Sequence, residues 1–243
     1  MKTIELILDE KISSNYYMKE AFNSLRANIL FSKKDVKTIV LTSCLAHEGK
    51  SSVCFELCRS LAEAGKKILL VDADMRKSVM ITRYTNNKGL YGLSHLLSGQ
   101  IEAEEAICKT NVANLDIVFA GPYPPNPTEL IGSPAFEEFL NAYRDAYDYI
   151  IVDAPPLGLV VDAAVISNVC DGSVLVVNVG HIKYRMAQNV IAQLEKSGRK
   201  ILGVILNQVD RKKTIKSEYS LYAAYLSEDS QDYYAKSGHT KKK

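Results

Sequence analysis

The residues best suited to chemistry lie at the ends of short aliphatic runs. Gly49-Lys50-Ser51 closes the stretch Thr42 to Ser52, which follows Thr38-Ile39-Val40-Leu41 and precedes helical apolar spacing at Val53, Leu57 and Leu61. A strand, a short polar loop ending Gly-Lys-Ser and a helix form the context of a phosphate-binding P-loop. A helix start offers a phosphate unpaired N–H groups and partial positive charge. Gly49 permits close approach of the backbone. Lys50 can reach β- and γ-phosphates, and the Ser51 hydroxyl can hold Mg²⁺. The full pattern is Gly-x4-Gly-Lys-[Ser/Thr], and Cys44 stands where its first glycine belongs. A plain turn between strand and helix would share the Gly-Lys-Ser triplet, so the loop needs support from elsewhere in the chain.

Two more strand ends supply it. Ile68-Leu69-Leu70-Val71 runs into Asp72-Ala73-Asp74-Met75-Arg76, and Tyr149-Ile150-Ile151-Val152 runs into Asp153-Ala154-Pro155-Pro156. Carboxylates at the end of a buried parallel strand are costly unless something positive needs them. That edge of an α/β sheet is also where ligands bind. A surface turn is the alternative for Asp72 and Asp74. Asp153 has the shape of a Walker B element, whose aspartate meets Mg²⁺ directly or through water. Arg76 could pair with an acid or with a phosphate.

The elements that must position these residues alternate along the chain. The spacing of Met18, Phe22, Leu25 and Ile29 predicts a helix over 14–32, with Glu20 and Arg26 on other faces. After the P-loop helix and the strand ending at Asp72, residues 77–92 read as loop. Short helices are expected at 92–98 and 102–108, then a strand at 115–119. Gly121 to Pro127 holds four of the chain's seven prolines and reads as a rigid surface loop. A helix follows from Pro134 to Ala146, then the strand ending at Asp153. The rhythm closes with helix 161–168, strand 173–179, helix 183–197, strand 201–206 and Asn207. Strands alternating with helices predict one α/β domain over 1–210, its mostly parallel sheet covered by helices on both faces.

Bulk properties narrow the function class. The chain has 243 residues, 47% hydrophobic and 24% charged, which suits a globular protein with a substantial core. A net charge of +2 gives no case for a nucleic-acid partner. The five cysteines (44, 54, 58, 108, 170) and four histidines show no metal-ligand spacing, and an odd, scattered set of thiols suggests a reducing compartment. No apolar run approaches ~18 residues, and Glu5, Asp9 and Glu10 interrupt any signal-peptide pattern. A cytoplasmic location is expected, with any membrane link supplied by a partner.

The chain changes character at 211–243. Lysines and arginines are frequent there, and Tyr219, Tyr222, Tyr225, Tyr233 and Tyr234 fall among Ser, Glu and Asp. Few apolar residues flank these tyrosines, so the segment reads as a mobile tail. Its tyrosines could serve as phosphate acceptors, or form an aromatic strip that docks on a partner.

Asp72-x-Asp74-x-Arg76 after an aliphatic run resembles the Walker A′ motif shared by MinD/ParA-type ATPases and bacterial protein-tyrosine kinases (BY-kinases). Together with the P-loop, Asp153-x-Pro155, the Asn126-Pro127-Thr128-Glu129-Leu130 loop, the Asp162-Ala163 step and a terminal tyrosine cluster, it resembles the kinases. The nearest likeness is to the Gram-positive type associated with capsular or extracellular polysaccharide. MinD/ParA relatives usually carry a signature lysine where this chain has Leu45, and an ATPase switch that positions a partner is the alternative function.

The kinase resemblance implies transfer of the γ-phosphoryl group of ATP, with Mg²⁺, to tyrosines 219, 222, 225, 233 and 234. It implies Lys50, Asp72 and Asp74 as catalytic residues, with Asp72 the first choice of base. Gly49, Lys50, Ser51, Ser52 and Asn207 would bind nucleotide, and Ser51, Asp74 and Asp153 would serve the metal. It further implies a membrane-anchored activator acting through its cytoplasmic end and recruiting the kinase. A homo-oligomeric ring when unphosphorylated, exogenous protein substrates and a cognate phosphatase are also implied. Family members share a Glu-x2-Arg-x2-Arg ring-contact motif. Here it reads Glu20-x2-Asn23-x2-Arg26, leaving Glu20 and Arg26 as the expected oligomer contacts.

Overall fold

The computed structural model describes residues 2–8, 16–32 and 35–209. Along them run strand β1 (Lys2–Ile4), helix α1 (Tyr16–Leu30), β2 (Thr38–Ser43), α2 (Lys50–Glu63), β3 (Ile68–Asp72) and α3 (Met80–Tyr84). Next come α4 (Leu93–Leu97), α5 (Ala103–Ala106), β4 (Ile107–Thr110), β5 (Leu115–Val118), α6 (Pro127–Ile131) and α7 (Pro134–Tyr143). The order ends with β6 (Tyr149–Asp153), α8 (Asp162–Val169), β7 (Gly172–Asn178), α9 (Tyr184–Glu195) and β8 (Lys200–Asn207). The tyrosine cluster from 219 to 234 lies outside the described residues.

The strands form one eight-stranded sheet in the order β1-β4-β5-β3-β6-β2-β7-β8. Its pairings are parallel except β4 with β5. The central strands β3 and β6 carry unbroken aliphatic runs because both their faces are covered. Ile68 and Leu70 of β3 join Phe55, Leu57 and Leu61 of α2 and Ile29 of α1 on one face. Leu69 and Val71 join Phe136 of α7, Ile166 of α8 and Leu194 of α9 on the other. A change of face at every residue is the pleat of a strand. Burying each such side chain contributes about 1.5–3 kcal/mol.

Register places the chemistry. Asp72 is the direct neighbour of Asp153 across β3 and β6, and Leu41 that of Asp153 across β2 and β6. The carboxyl ends of β2, β3, β6, β7 and β8 therefore open onto one edge, with Ser43, Asp72, Asp153, Asn178 and Asn207 at their last positions.

Some local expectations are corrected. Residues 2–4, for which no element is expected from the sequence, form an edge strand parallel to β4. The helix expected over 102–108 stops at Ala106, and Ile107 and Cys108 begin β4. β-Branched Ile107 and Thr110 suit that strand better than a helix. Short helices α3 and α6 occupy stretches read as loop, the second started by Pro127 in its first turn, where a missing N–H costs nothing.

Candidate active site

Helix α2 begins at Lys50 with no side-chain cap. Gly49 precedes it at φ 79°, ψ 13°, and the first turn holds no acidic residue. Its leading N–H groups are thus left for a ligand, with positive potential behind them. His47 is also left-handed at φ 66°. Left-handed residues at this spacing curl the loop into a concavity of the kind that collects N–H groups around an anion. The floor is tight. A Cβ on Gly158 would sit 2.2 Å from the Cys44 carbonyl oxygen, so only glycine fits where the chain after β6 crosses the loop. Cys44, at the pattern's first glycine, is itself fully buried there.

Glu48 pins the loop from within. Its buried carboxylate accepts from the Leu45 N–H at 2.5 Å and from the Asn178 N–H at the end of β7 at 2.8 Å. The Asn207 amide, at the end of β8, donates to the Glu48 carbonyl at 2.8 Å. The loop is thereby tied to two further strand ends. Glu48 was one of the variable positions of the sequence pattern, and only its burial marks it.

Beneath the loop lies the charge centre. Lys50 Nζ stands 2.5 Å from Asp153 Oδ1, both side chains nearly solvent-free. Burial alone would lower the Lys50 ammonium. Asp153, with Asp74 and Asp72 behind it, more than offsets this and holds it above the ordinary lysine range. Asp153 Oδ2 is buried and has no hydrogen-bond partner among the described residues. Asp72 is fully buried, and its Oδ2 accepts from the Ser78 hydroxyl. Burial first, and then the neighbouring Asp153 charge, push its carboxyl up to about 7. Asp74 accepts from the Lys77 N–H at 3.0 Å and reaches the rim.

These groups surround a cavity of about 230 Å³. Gly49, Lys50, Ser51, Ser52 and Asp74 line it, together with Arg76, expected to pair with an acid or a phosphate, and Lys77 and Arg83, which the sequence did not single out. Asp72 and Asp153 lie fully buried next to Lys50, and Asn207 stands outside its lining. Arg83 of α3 donates to the Ser52 hydroxyl. Arg76 pairs with the buried Asp162, Nε to Oδ2 at 2.7 Å and Nη2 to Oδ1 at 3.1 Å. Glu20 and Arg26 lie away from the cavity on α1. Glu20 accepts from Asn23 at 3.0 Å, and Arg26 Nη1 donates to the carbonyl and hydroxyl of Ser60 on α2, both at 3.0 Å.

The donor set fits a hydrated Mg²⁺. An unpartnered buried oxygen of Asp153, the Ser51 hydroxyl and the Asp74 carboxylate sit around an uncapped helix start. Among the described residues no three His, Cys, Asp or Glu side chains converge on one metal position. Mg²⁺ keeps several waters and is ordinarily held by one or two carboxylates together with substrate phosphates.

Comparison with known proteins agrees with this geometry. A family model described as an AAA domain matches residues 36–201. The chain is 43% identical to the tyrosine-protein kinase CpsD of Streptococcus agalactiae over 216 residues, covering 89% of this chain and 94% of that one. The crystal structure of the chimerical protein CapA2B2 superposes with a TM-score of 0.77 at 32% identity, covering 86% of this chain and 94% of that one. The septum site-determining protein MinD of Pyrococcus horikoshii, solved with Mg-ADP, is more distant. Its TM-score is 0.62 at 26% identity, over 72% of each chain. A P-loop facing register-paired aspartates, on a chain that matches a named kinase over nearly its whole length, settles the family: this chain belongs to the bacterial protein-tyrosine kinases.

Proposed function

We propose that the protein transfers the γ-phosphoryl group of Mg·ATP to tyrosines of its own C-terminal cluster, and so regulates synthesis or export of a capsular or extracellular polysaccharide. The observation that carries this reading is the Lys50–Asp153 pair at 2.5 Å, with Asp72 in register beside it beneath an uncapped helix start.

On this reading Lys50 exchanges Asp153 for the β- and γ-phosphates, while the N–H groups of Gly49 to Ser52 hold the phosphate chain. The freed Asp153 carboxylate, with Asp74 and Ser51, would then be the residues to hold Mg²⁺. When bound, Mg²⁺ would supply further neutralisation of charge on the phosphates. Asp72 accepts the acceptor's proton. Its carboxyl, pushed up to about 7, is closer in proton affinity to a phenol of pKa about 10 than an ordinary aspartate is. An acceptor hydroxyl would dock by taking the place of the Ser78 hydroxyl, which is hydrogen-bonded to Asp72. Asn207 takes part in nucleotide binding through the loop that it braces.

The acceptors proposed are Tyr219, Tyr222, Tyr225, Tyr233 and Tyr234, modified in trans within a ring that uses Glu20 and Arg26. No helix among the described residues is long and apolar enough to cross a membrane. A membrane-anchored activator with a cytoplasmic end is the proposed partner, bringing the kinase to the membrane. Exogenous protein substrates and a cognate phosphatase complete the proposed set.

The test incubates the pure chain with Mg·ATP and a cytoplasmic peptide of a capsular activator, and maps phosphotyrosine by mass spectrometry. Phosphate at Tyr219 to Tyr234 that disappears in Lys50→Met is the expected result. Phosphotyrosine confined to other positions, or equal modification in Lys50→Met, overturns the assignment.

A further inference from the structure

Arg76 is tied down more completely than its surface position requires. Asp162 is fully buried at the start of α8, and its carboxylate grips the Nε and Nη2 edge of the Arg76 guanidinium at 2.7 and 3.1 Å. Thr128, from α6, closes a triangle. Its hydroxyl accepts from Arg76 Nη2 at 2.8 Å and donates to Asp162 Oδ1 at 2.6 Å. Three segments far apart in sequence thus fix the plane of one guanidinium. A two-point Arg–carboxylate pair sets orientation as well as charge. The remaining nitrogen, Nη1, has no hydrogen-bond partner among the described residues, and Arg76 lines the same cavity as Lys50, Ser51 and Asp74.

A buried acid spent on orienting an arginine beside a phosphate loop has a chemical use. Phosphoryl transfer leaves charge spread over the equatorial oxygens, and a fixed guanidinium stabilises that charge without reorganising. We infer that Arg76 is a catalytic residue that places Nη1 on the transferred phosphoryl group from within its own chain, with Asp162 and Thr128 as its positioning residues. The inference rests on the kinase reading of the site. In the step, the tyrosine oxygen bonds to the γ-phosphorus and the bond from that phosphorus to the β,γ-bridging oxygen breaks. The phenolic proton passes to Asp72, and ADP leaves with the electron pair. Arg76 makes and breaks no bond; its charge faces the transferring group throughout.

The alternative is that the triangle only ties loops together, and the test separates the two. Single-turnover phosphotransfer is measured on the full chain with Mg·ATP and activator peptide, alongside affinity for a fluorescent ATP analogue and the thermal midpoint. Arg76→Ala should lower the transfer rate about 100-fold, with nucleotide affinity within about threefold of wild type, and added guanidinium should restore part of the rate. Arg76→Lys should stay slow, because an ammonium cannot make the two-point pair with Asp162. Asp162→Asn should slow the wild type about tenfold yet add little in the Arg76→Ala background, as expected for residues acting as one unit. A folded Arg76→Ala protein at wild-type rate overturns the inference. So does a rate loss that guanidinium leaves untouched, or one that falling nucleotide affinity accounts for in full. Absence of phosphotyrosine from the wild-type chain would instead bring down the kinase reading, and this inference with it.

Discussion

At the scale of single residues, the site depends on buried carboxylates given unlike partners. Asp153 sits against Lys50, whereas Asp72, one strand over, has the Ser78 hydroxyl as its direct side-chain partner among the described residues. That asymmetry follows from register, because β3 and β6 end level with each other and two acids cannot both ionise cheaply there. If Asp72 is the base, the transfer rate should rise with pH through about 7 and then level as its carboxyl loses its proton. The hydrogen bond from Ser78 holds that carboxyl down, so removing it must raise the value further. Ser78→Ala should therefore move the acid limb of the single-turnover pH profile upward, while Asp72→Asn should abolish the limb together with most of the rate. An acid limb that stays in place in Ser78→Ala, or survives in Asp72→Asn, contradicts the role.

At the scale of elements, the sheet is braced at the end opposite the site by Asp171, just before β7. Its Oδ2 accepts from the N–H groups of Lys37 and Thr38, both at 2.8 Å, from the Thr38 hydroxyl at 3.0 Å and from Arg144 at 2.8 Å. Burial alone would raise this carboxyl, but Arg144 and the strand-start N–H groups outweigh it and hold it below the ordinary aspartate range. A folded-state pKa below the unfolded one gives stability that is complete above the unfolded value of about 4. That stability is lost as pH falls through the folded value. Asp171→Asn should cost about 1.5–3 kcal/mol at pH near 7. In urea titrations the gap to wild type should be equal at mildly acidic pH and narrow below about 4. A gap that widens on acidification contradicts the account.

The same scale shows what a sequence can disclose. Aliphatic runs such as Ile68 to Val71 announce buried parallel strands, and each ends where a functional residue stands, so the P-loop, both acidic strand ends and the helix-covered sheet were all legible. The antiparallel β4 was not. Its short run follows an acidic segment of helical character, and pairing with β1 and β5 makes it a strand. Nor was the triangle around Arg76, since Asp162 lies 86 residues away. The motifs containing Arg76, Thr128 and Asp162 were visible singly. Their meeting is a property of the fold. Glu48 gave no signal at all, because an acid in a polar loop looks solvated until its carboxylate is seen accepting from Leu45 and Asn178.

At the scale of the whole molecule, the proposed cycle joins the site to assembly. Helix α1 is fastened to α2 through Arg26 and Ser60, so a neighbour gripping α1 would bear on the helix that begins at Lys50. Asn23, in place of the family's middle arginine, spends its amide on Glu20 within the same helix. The unphosphorylated chain should form an oligomer by light scattering, and Arg26→Ala should shift it towards monomer. Each phosphate adds about −1.5 to −2 charges, so phosphorylation of several tail tyrosines should disperse the oligomer. A wild-type chain that stays monomeric at high concentration, with or without activator peptide, removes the ring from the account.

The central claim is that the γ-phosphoryl group goes to tyrosine and not to water. It is tested most directly by following ADP, phosphotyrosine and inorganic phosphate together in one reaction with Mg·ATP and activator peptide. The kinase reading predicts that, until the acceptors are filled, each ADP formed is matched by one phosphotyrosine, and that both vanish in Lys50→Met. ADP matched instead by inorganic phosphate, with no phosphotyrosine, would make the protein an ATPase switch of the MinD kind and contradict the account.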